Sequence, residues 1–103
     1  MQYRLIITER AEEHLDNILH YIVYKLKNPQ AAGNLISEIT HVYDNLEENP
    51  KIYAYCEEHF LKAKGYRKAS VSHYDYAIIY KIDADCVYIM GIFHDLELYK
   101  NKL

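Results

Sequence analysis

Two Asn-Pro dipeptides, Asn28-Pro29 and Asn49-Pro50, divide the first half of the sequence into segments of helical length. The residue before a proline disfavours helix, so each dipeptide predicts a helix end, and Pro29 also fits the first turn of the next helix. Apolar residues recur at three- and four-residue spacing before the first dipeptide: Ala11, Leu15, Ile18, Leu19, Ile22 and Leu26. The same spacing recurs after it: Ala32, Leu35, Ile36, Ile39, Val42, Tyr43 and Leu46. The pattern predicts two amphipathic helices, and the short turn between them makes them antiparallel.

Strand-forming residues flank this helical hairpin. Residues 2–7 predict a first strand, and Thr8 is placed to cap the first helix. Residues 51–64 are irregular in pattern. Three predicted strands with short connections follow, which indicates an antiparallel meander: Tyr66 to Val71, Asp75 to Ile82 and Cys86 to Phe93.

Alternation along the last two strands predicts which side chains share a face. In the second strand of the meander these are Tyr76, Ile78, Tyr80 and Ile82, and in the third they are Val87, Ile89, Gly91 and Phe93. The fold predicted is α+β, one domain over residues 1–103. It has an N-terminal strand, an antiparallel two-helix hairpin packed on a three- to four-stranded antiparallel sheet, and a short C-terminal segment that could form a helical turn.

Composition excludes several classes of protein. Half of the residues are hydrophobic and 26% are charged, which excludes a disordered chain. No apolar run approaches the roughly 18 residues of a membrane span, and the apolar start is too short for a signal peptide. We therefore expect a cytoplasmic protein without membrane contact, in which Cys56 and Cys86 stay reduced.

Signatures of metal and cofactor sites are absent from the sequence. The six histidines are scattered without a His-x-x-x-His pair, and each cysteine stands alone. The three glycines are isolated, so there is no glycine-rich phosphate loop, and there is no Gly-x-Ser-x-Gly motif. We expect no metal and no cofactor.

One stretch of the chain is basic although the net charge is −3. Between His59 and Tyr74 there is no acid, and there are four bases: Lys62, Lys64, Arg67 and Lys68. Such a patch attracts phosphate, but the acidic total does not favour a strong nucleic-acid binder. The alternative is a solvated basic loop.

Two residues in the second half are candidates for chemistry. Arg67, at the start of a strand, could clamp a phosphate in bidentate fashion; the alternative is an edge-strand charge paired with an acid. His94, at the end of the last strand, could be a general acid or base; the alternative is a rim histidine bonded to a backbone carbonyl. The twelve tyrosines suit half-buried packing or an interface.

The order of elements and several short motifs resemble the RelE/ParE toxins of bacterial type II toxin–antitoxin modules. The motifs are Leu46-Glu47-Glu48-Asn49-Pro50, Gly65-Tyr66-Arg67-Lys68, Tyr80-Lys81-Ile82-Asp83, Val87-Tyr88-Ile89 and Phe93-His94. The resemblance covers essentially the whole chain. It implies a growth-inhibiting, plasmid-stabilising toxin that a cognate antitoxin neutralises. The toxin is expected to form a homodimer or a hetero-oligomer with that antitoxin.

The family divides by target. RelE-like members are endonucleases that cut mRNA on the ribosome, and for this branch the resemblance implies catalytic roles for Arg67, Lys68 and His94. ParE-like members poison DNA gyrase without catalysis. Residues expected to bind the target in either case are Lys62, Lys64, Arg67, Asp95 and Tyr99.

Two departures from the family pattern favour the ParE-like branch. Ala77 stands where RelE-like nucleases tend to carry an arginine, and Asp95-Leu96-Glu97 stands where the family often continues with arginines. Cleavage of RNA needs cations around the reacting phosphate, and acids there oppose it. The alternatives are a ribosome-dependent mRNA endonuclease and an inactive toxin-like fold that serves as a binding partner.

Overall fold

The computed structural model describes residues 2–94, which form three helices and one sheet. In chain order the elements are β1 (Arg4–Ile7), α1 (Glu9–His20), α2 (Pro29–Glu48), α3 (His59–Ala63), β2 (Arg67–Ser70), β3 (Tyr76–Asp83) and β4 (Cys86–His94). The α+β class, the helical hairpin and the three following strands are confirmed. The segment predicted as irregular contains a 3₁₀ turn over Pro50–Ile52 and the short helix α3. The predicted C-terminal turn, over residues 95–103, lies outside the described residues.

Side-chain caps begin both long helices. The Thr8 hydroxyl accepts a hydrogen bond of 3.2 Å from the Ala11 N–H, and the Asn28 side chain accepts one of 3.1 Å from the Ala31 N–H. The first helix does not stay α-helical to its end, because residues Tyr21–Lys25 widen into a π-helical turn. Lys27 then adopts a φ of 51°, the left-handed conformation that commonly terminates a helix.

The sheet has the strand order β1-β4-β3-β2. The meander β2-β3-β4 is antiparallel, as predicted. β1 pairs with β4 in parallel, from Arg4 opposite Cys86 to Ile7 opposite Ile89, so the complete sheet is mixed and not wholly antiparallel. Neighbouring antiparallel strands need only short turns, whereas the hairpin and the first strands of the meander separate β1 from β4 in the chain and allow a parallel pair.

The main core lies between the helical hairpin and one face of the sheet. Tyr76, Ile78, Tyr80 and Ile82 of β3 all pack in or against this core, which confirms that they share a face. The fully buried members from the helices include Leu35, Ile39 and Leu46.

A β-bulge in β4 makes the face predicted for that strand wrong. Ile79 pairs with Gly91 but Tyr80 pairs with Ile89, so Met90 is an extra residue. One extra residue reverses which face the later side chains occupy. Val87 and Ile89 therefore join the main core. Phe93 joins a second cluster with Cys56, Leu61, Tyr66 and Ile79.

No helix among residues 2–94 is long and apolar enough to cross a membrane.

Candidate functional site

The basic stretch lies at the β2 edge of the sheet, where the chain after α2 runs alongside β2. The Cys56 N–H donates to the Tyr66 carbonyl over 2.9 Å, and the Lys68 N–H donates to the Ala54 carbonyl over 3.1 Å. Tyr55 forms an isolated antiparallel bridge with Arg67. These contacts cover the first part of the β2 edge and place Tyr55 beside Arg67.

The Arg67 guanidinium contacts the segment that runs alongside β2. Its Nη1 donates a hydrogen bond of 2.7 Å to the Tyr53 carbonyl, and its central carbon lies 4.0 Å from the centre of the Tyr55 ring. The partners of this half-buried arginine are thus a backbone carbonyl and an aromatic face. One donor of its hydrogen-bonding fork and one face of the guanidinium are thus engaged by the fold.

A second cation covers a second exposed ring nearby in the chain. The Lys64 Nζ lies 4.3 Å from the centre of the Phe60 ring, and Phe60 is 55% exposed. Tyr55 is 45% exposed. We call Tyr55, Phe60, Lys62, Lys64 and Arg67 the basic–aromatic segment. A cation over an exposed aromatic face suits contact with a partly acidic, partly apolar partner, or stacking against nucleobases.

Lys68 lies next to Arg67 in β2, but its side chain is on the opposite face of the sheet. Arg67 pairs with Tyr80 of the main core, whereas Lys68 pairs with Ile79 of the second cluster. Consecutive residues of a strand point to opposite faces. Burial, with a smaller contribution from Glu58, raises the pKa of the nearby Cys56 thiol to about 11, and the positive charge of Lys68 offsets this only in part.

His94 lies at the far end of the sheet from Arg67. It pairs with Tyr76, and the two rings are 5.4 Å apart in an edge-to-face arrangement. Arg67 pairs with Tyr80, which lies four residues after Tyr76 in β3. Its own strand, β2, is two strands away from β4 in the sheet. Strand geometry puts the Cα atoms of Arg67 and His94 about 16 Å apart. The structure therefore does not bring Arg67, Lys68 and His94 together.

Ala77 is fully buried, between Ser70 of β2 and Phe93 of β4, and adds no charge. Asp95 and Tyr99 lie outside the described residues. Within residues 2–94 no cluster of three histidine, cysteine or acidic side chains could hold a metal ion.

The two rings that the cations cover were not predicted from the sequence. The spacing of Phe60 and Lys64 could have indicated their contact, because residues four apart meet on one face of a helix. The five-residue helix α3, however, was not predicted. The Tyr55–Arg67 pair joins residues twelve positions apart through a bridge that has no local signature.

Comparison with known proteins identifies the family. The family model of the ParE toxin of the type II toxin–antitoxin system parDE matches residues 5–99. The chain belongs to the ParE toxin family. This confirms the predicted RelE/ParE superfamily, and the protein is accordingly a toxin of a type II toxin–antitoxin system. No curated protein matches the chain in sequence.

Solved structures show the same fold at low sequence identity. A chain of the chromosomal ParDE system of P. aeruginosa is 19% identical with a TM-score of 0.71, over 90% of this chain and 96% of that one. A free E. coli RelE mutant is 13% identical with a TM-score of 0.70, over 99% and 93%. A chain of the RelBE2 complex of Mycobacterium tuberculosis is 16% identical with a TM-score of 0.58, over 91% and 99%. The fold is thus similar to both ParE-type and RelE-type toxins.

Proposed function

We propose that this ParE-family toxin inhibits growth by binding and poisoning DNA gyrase, and that Arg67, Lys68 and His94 do not form a nuclease site. The observation that carries the proposal is the separation of Arg67 and Lys68 from His94. Cleavage of RNA needs a general acid or base and phosphate-binding cations around one reacting phosphorus. The Cα separation of about 16 Å between Arg67 and His94, and the position of Lys68 on the other face of the sheet, support a function without such a site.

The basic–aromatic segment is the proposed target-binding region. Lys62 and Lys64 are exposed, and Arg67 is partly so. A protein surface of this kind gains binding energy mainly from its aromatic and arginine side chains. Asp95 and Tyr99 remain part of the proposed target-binding set, on the family resemblance alone.

A cognate antitoxin is the proposed neutralising partner. The P. aeruginosa neighbour comes from a ParDE system and the M. tuberculosis neighbour from a toxin–antitoxin complex. The helical hairpin exposes four large apolar side chains, which is a typical feature of a protein-binding surface: Tyr21, Tyr24, Leu26 and Ile36. We infer that the antitoxin covers part of the hairpin.

The second candidate function is a ribosome-dependent mRNA endonuclease. Its support is the likeness to RelE, whose TM-score nearly equals that of the ParDE chain, together with His94 and its ring contact to Tyr76. The third candidate is an inactive toxin-like fold that acts only as a binding partner.

Induction of the toxin in bacteria distinguishes the three functions. The gyrase hypothesis predicts a DNA-damage response in the cells and no codon-phased mRNA cleavage. It also predicts cleaved DNA when purified gyrase acts on a plasmid in the presence of the toxin. Codon-phased cleavage of ribosome-bound mRNA without DNA damage would establish the nuclease instead. Full survival after induction, with the folded protein detected in the cells, would establish the inactive fold.

A further inference from the structure

His14 of α1 binds the backbone of β4 where β1 no longer does. The pairing of β1 with β4 ends at Ile7 and Ile89, but β4 continues to His94. Beyond that end, the Ile92 N–H donates a hydrogen bond of 3.2 Å to Nδ1 of His14. The imidazole thus takes the place of a neighbouring strand and satisfies a buried residue's amide.

The packing around His14 leaves room for its imidazole ring. The His14 and Phe93 rings meet edge to face with centres 4.7 Å apart. Gly91 lies beneath them, and a Cβ atom there would come within 2.5 Å of the Phe93 ring and 3.1 Å of the His14 Cε1. The missing side chain of Gly91 makes room for both rings.

The direction of the hydrogen bond fixes the protonation state. Nδ1 accepts, so it carries a lone pair, and the neutral imidazole holds its proton on Nε2. A second proton would have to go onto Nδ1, where an N–H would face the Ile92 N–H and the hydrogen bond would be lost. We propose that His14 is a proton-sensitive latch, which closes α1 onto the end of β4 when neutral and releases it when protonated.

On α1, the charged residue one turn before His14 is Arg10. The residues of β4 that meet the ring are uncharged: Gly91, Ile92 and Phe93. Thr8, which also binds β4 through the Ile89 carbonyl, is uncharged too. Because Nδ1 accepts from the Ile92 N–H, protonation of Nδ1 is linked to release of the strand end that leads to His94.

The test is amide hydrogen exchange of Ile92 at about pH 7.5 and about pH 5.5, corrected for the intrinsic exchange rate and referred to the Ile39 amide in the core. Loss of one hydrogen bond predicts a fall of about fivefold or more in the relative protection of Ile92 in the natural protein. His14→Asn keeps an acceptor in the position of Nδ1 but cannot take up a proton, so its protection stays constant with pH. His20→Asn, on an exposed histidine of the same helix, is the matched control and behaves as the natural protein does.

Unchanged protection of Ile92 in the natural protein would overturn the proposal. So would an equal fall in His14→Asn. If that variant does not fold, long-range proton–nitrogen NMR correlations of the natural protein decide the question, because the latch requires the Nε2–H tautomer at pH 7.5. The Nδ1–H tautomer would refute it. None of these readouts depends on whether gyrase or the ribosome is the target.

Discussion

The hydroxyl of Tyr80 donates a buried hydrogen bond of 2.6 Å to the carbonyl oxygen of Pro50. It joins the middle of the sheet to the turn that follows α2, and burial raises the pKa of Tyr80 far above its usual range. A neutral phenol in the core thus donates to the first carbonyl of the 3₁₀ turn.

Replacement of Tyr80 by Phe should destabilise the protein by about 1–3 kcal/mol, because it leaves the Pro50 carbonyl buried without its donor. Urea unfolding measures the change. Tyr43→Phe is the matched control, since the buried Tyr43 hydroxyl has no hydrogen-bond partner among the described residues and its removal should cost nothing. A stability loss in Tyr43→Phe equal to that in Tyr80→Phe would contradict this account.

Gly91→Ala should destabilise the protein by about 1–3 kcal/mol, because the added Cβ overlaps the Phe93 ring in a packed cluster. Gly33→Ala tests the opposite case. A Cβ at Gly33, inside α2, meets no atom within 4 Å, so alanine should stabilise the helix by about 0.5–1 kcal/mol. Thermal and urea unfolding give both values, and two changes of the same sign would count against the described packing.

The two thiols should differ in reactivity. Burial, with a smaller contribution from Glu58, raises the pKa of Cys56 to about 11, so at pH 8 it is a neutral thiol out of reach of solvent. Cys86 is partly exposed. Alkylation at pH 8 without reductant should modify Cys86 first, and Cys56 only after urea is added, as mass spectrometry would show. A disulfide between the two in freshly purified protein would disprove the prediction.

Toxicity should respond mildly to substitution of the candidate catalytic residues. In a gyrase poison, Arg67→Ala and His94→Ala each remove one interface contact or one structural contact, so survival after induction should change by less than about tenfold. In a nuclease, loss of a general acid or base costs about 100- to 10,000-fold. Colony counts after induction, with the protein level checked by blotting, measure the effect. Complete loss of toxicity in His94→Ala at normal protein level would point to the nuclease.

The helical hairpin was predictable because its signals are local. Thr8 and Asn28 cap the helices from positions beside the residues they bind, and the apolar spacing needs only neighbouring turns. The parallel pairing of β1 was not predictable in this way, since it joins Arg4 to Cys86 across the whole described chain. The bulge at Met90 was not predictable for another reason. Apolar residues run through β4, so one added residue does not interrupt the apolar pattern of the strand.

The candidate site was predictable in composition but not in geometry. Arg67 and the basic stretch were recognisable in the sequence, and the alternative for Arg67 was an edge-strand charge paired with an acid. The actual partners, a carbonyl of Tyr53 and the ring of Tyr55, depend on how the stretch between the 3₁₀ turn and α3 returns to the β2 edge. Such contacts are set by the tertiary fold, and no spacing in the chain encodes them.

The parallel pairing of β1 with β4 has a consequence for synthesis of the protein. The chain is made from its N-terminus, and β1 leaves the ribosome more than seventy residues before the strand that pairs with it. Until β4 follows, the β1 edge and the apolar side of the hairpin have no complete sheet to cover them, and contacts this distant in sequence form slowly. A nascent or prematurely ended chain therefore cannot complete this sheet. An antitoxin already present in the cell can meet the unfinished toxin during the interval before β4 emerges.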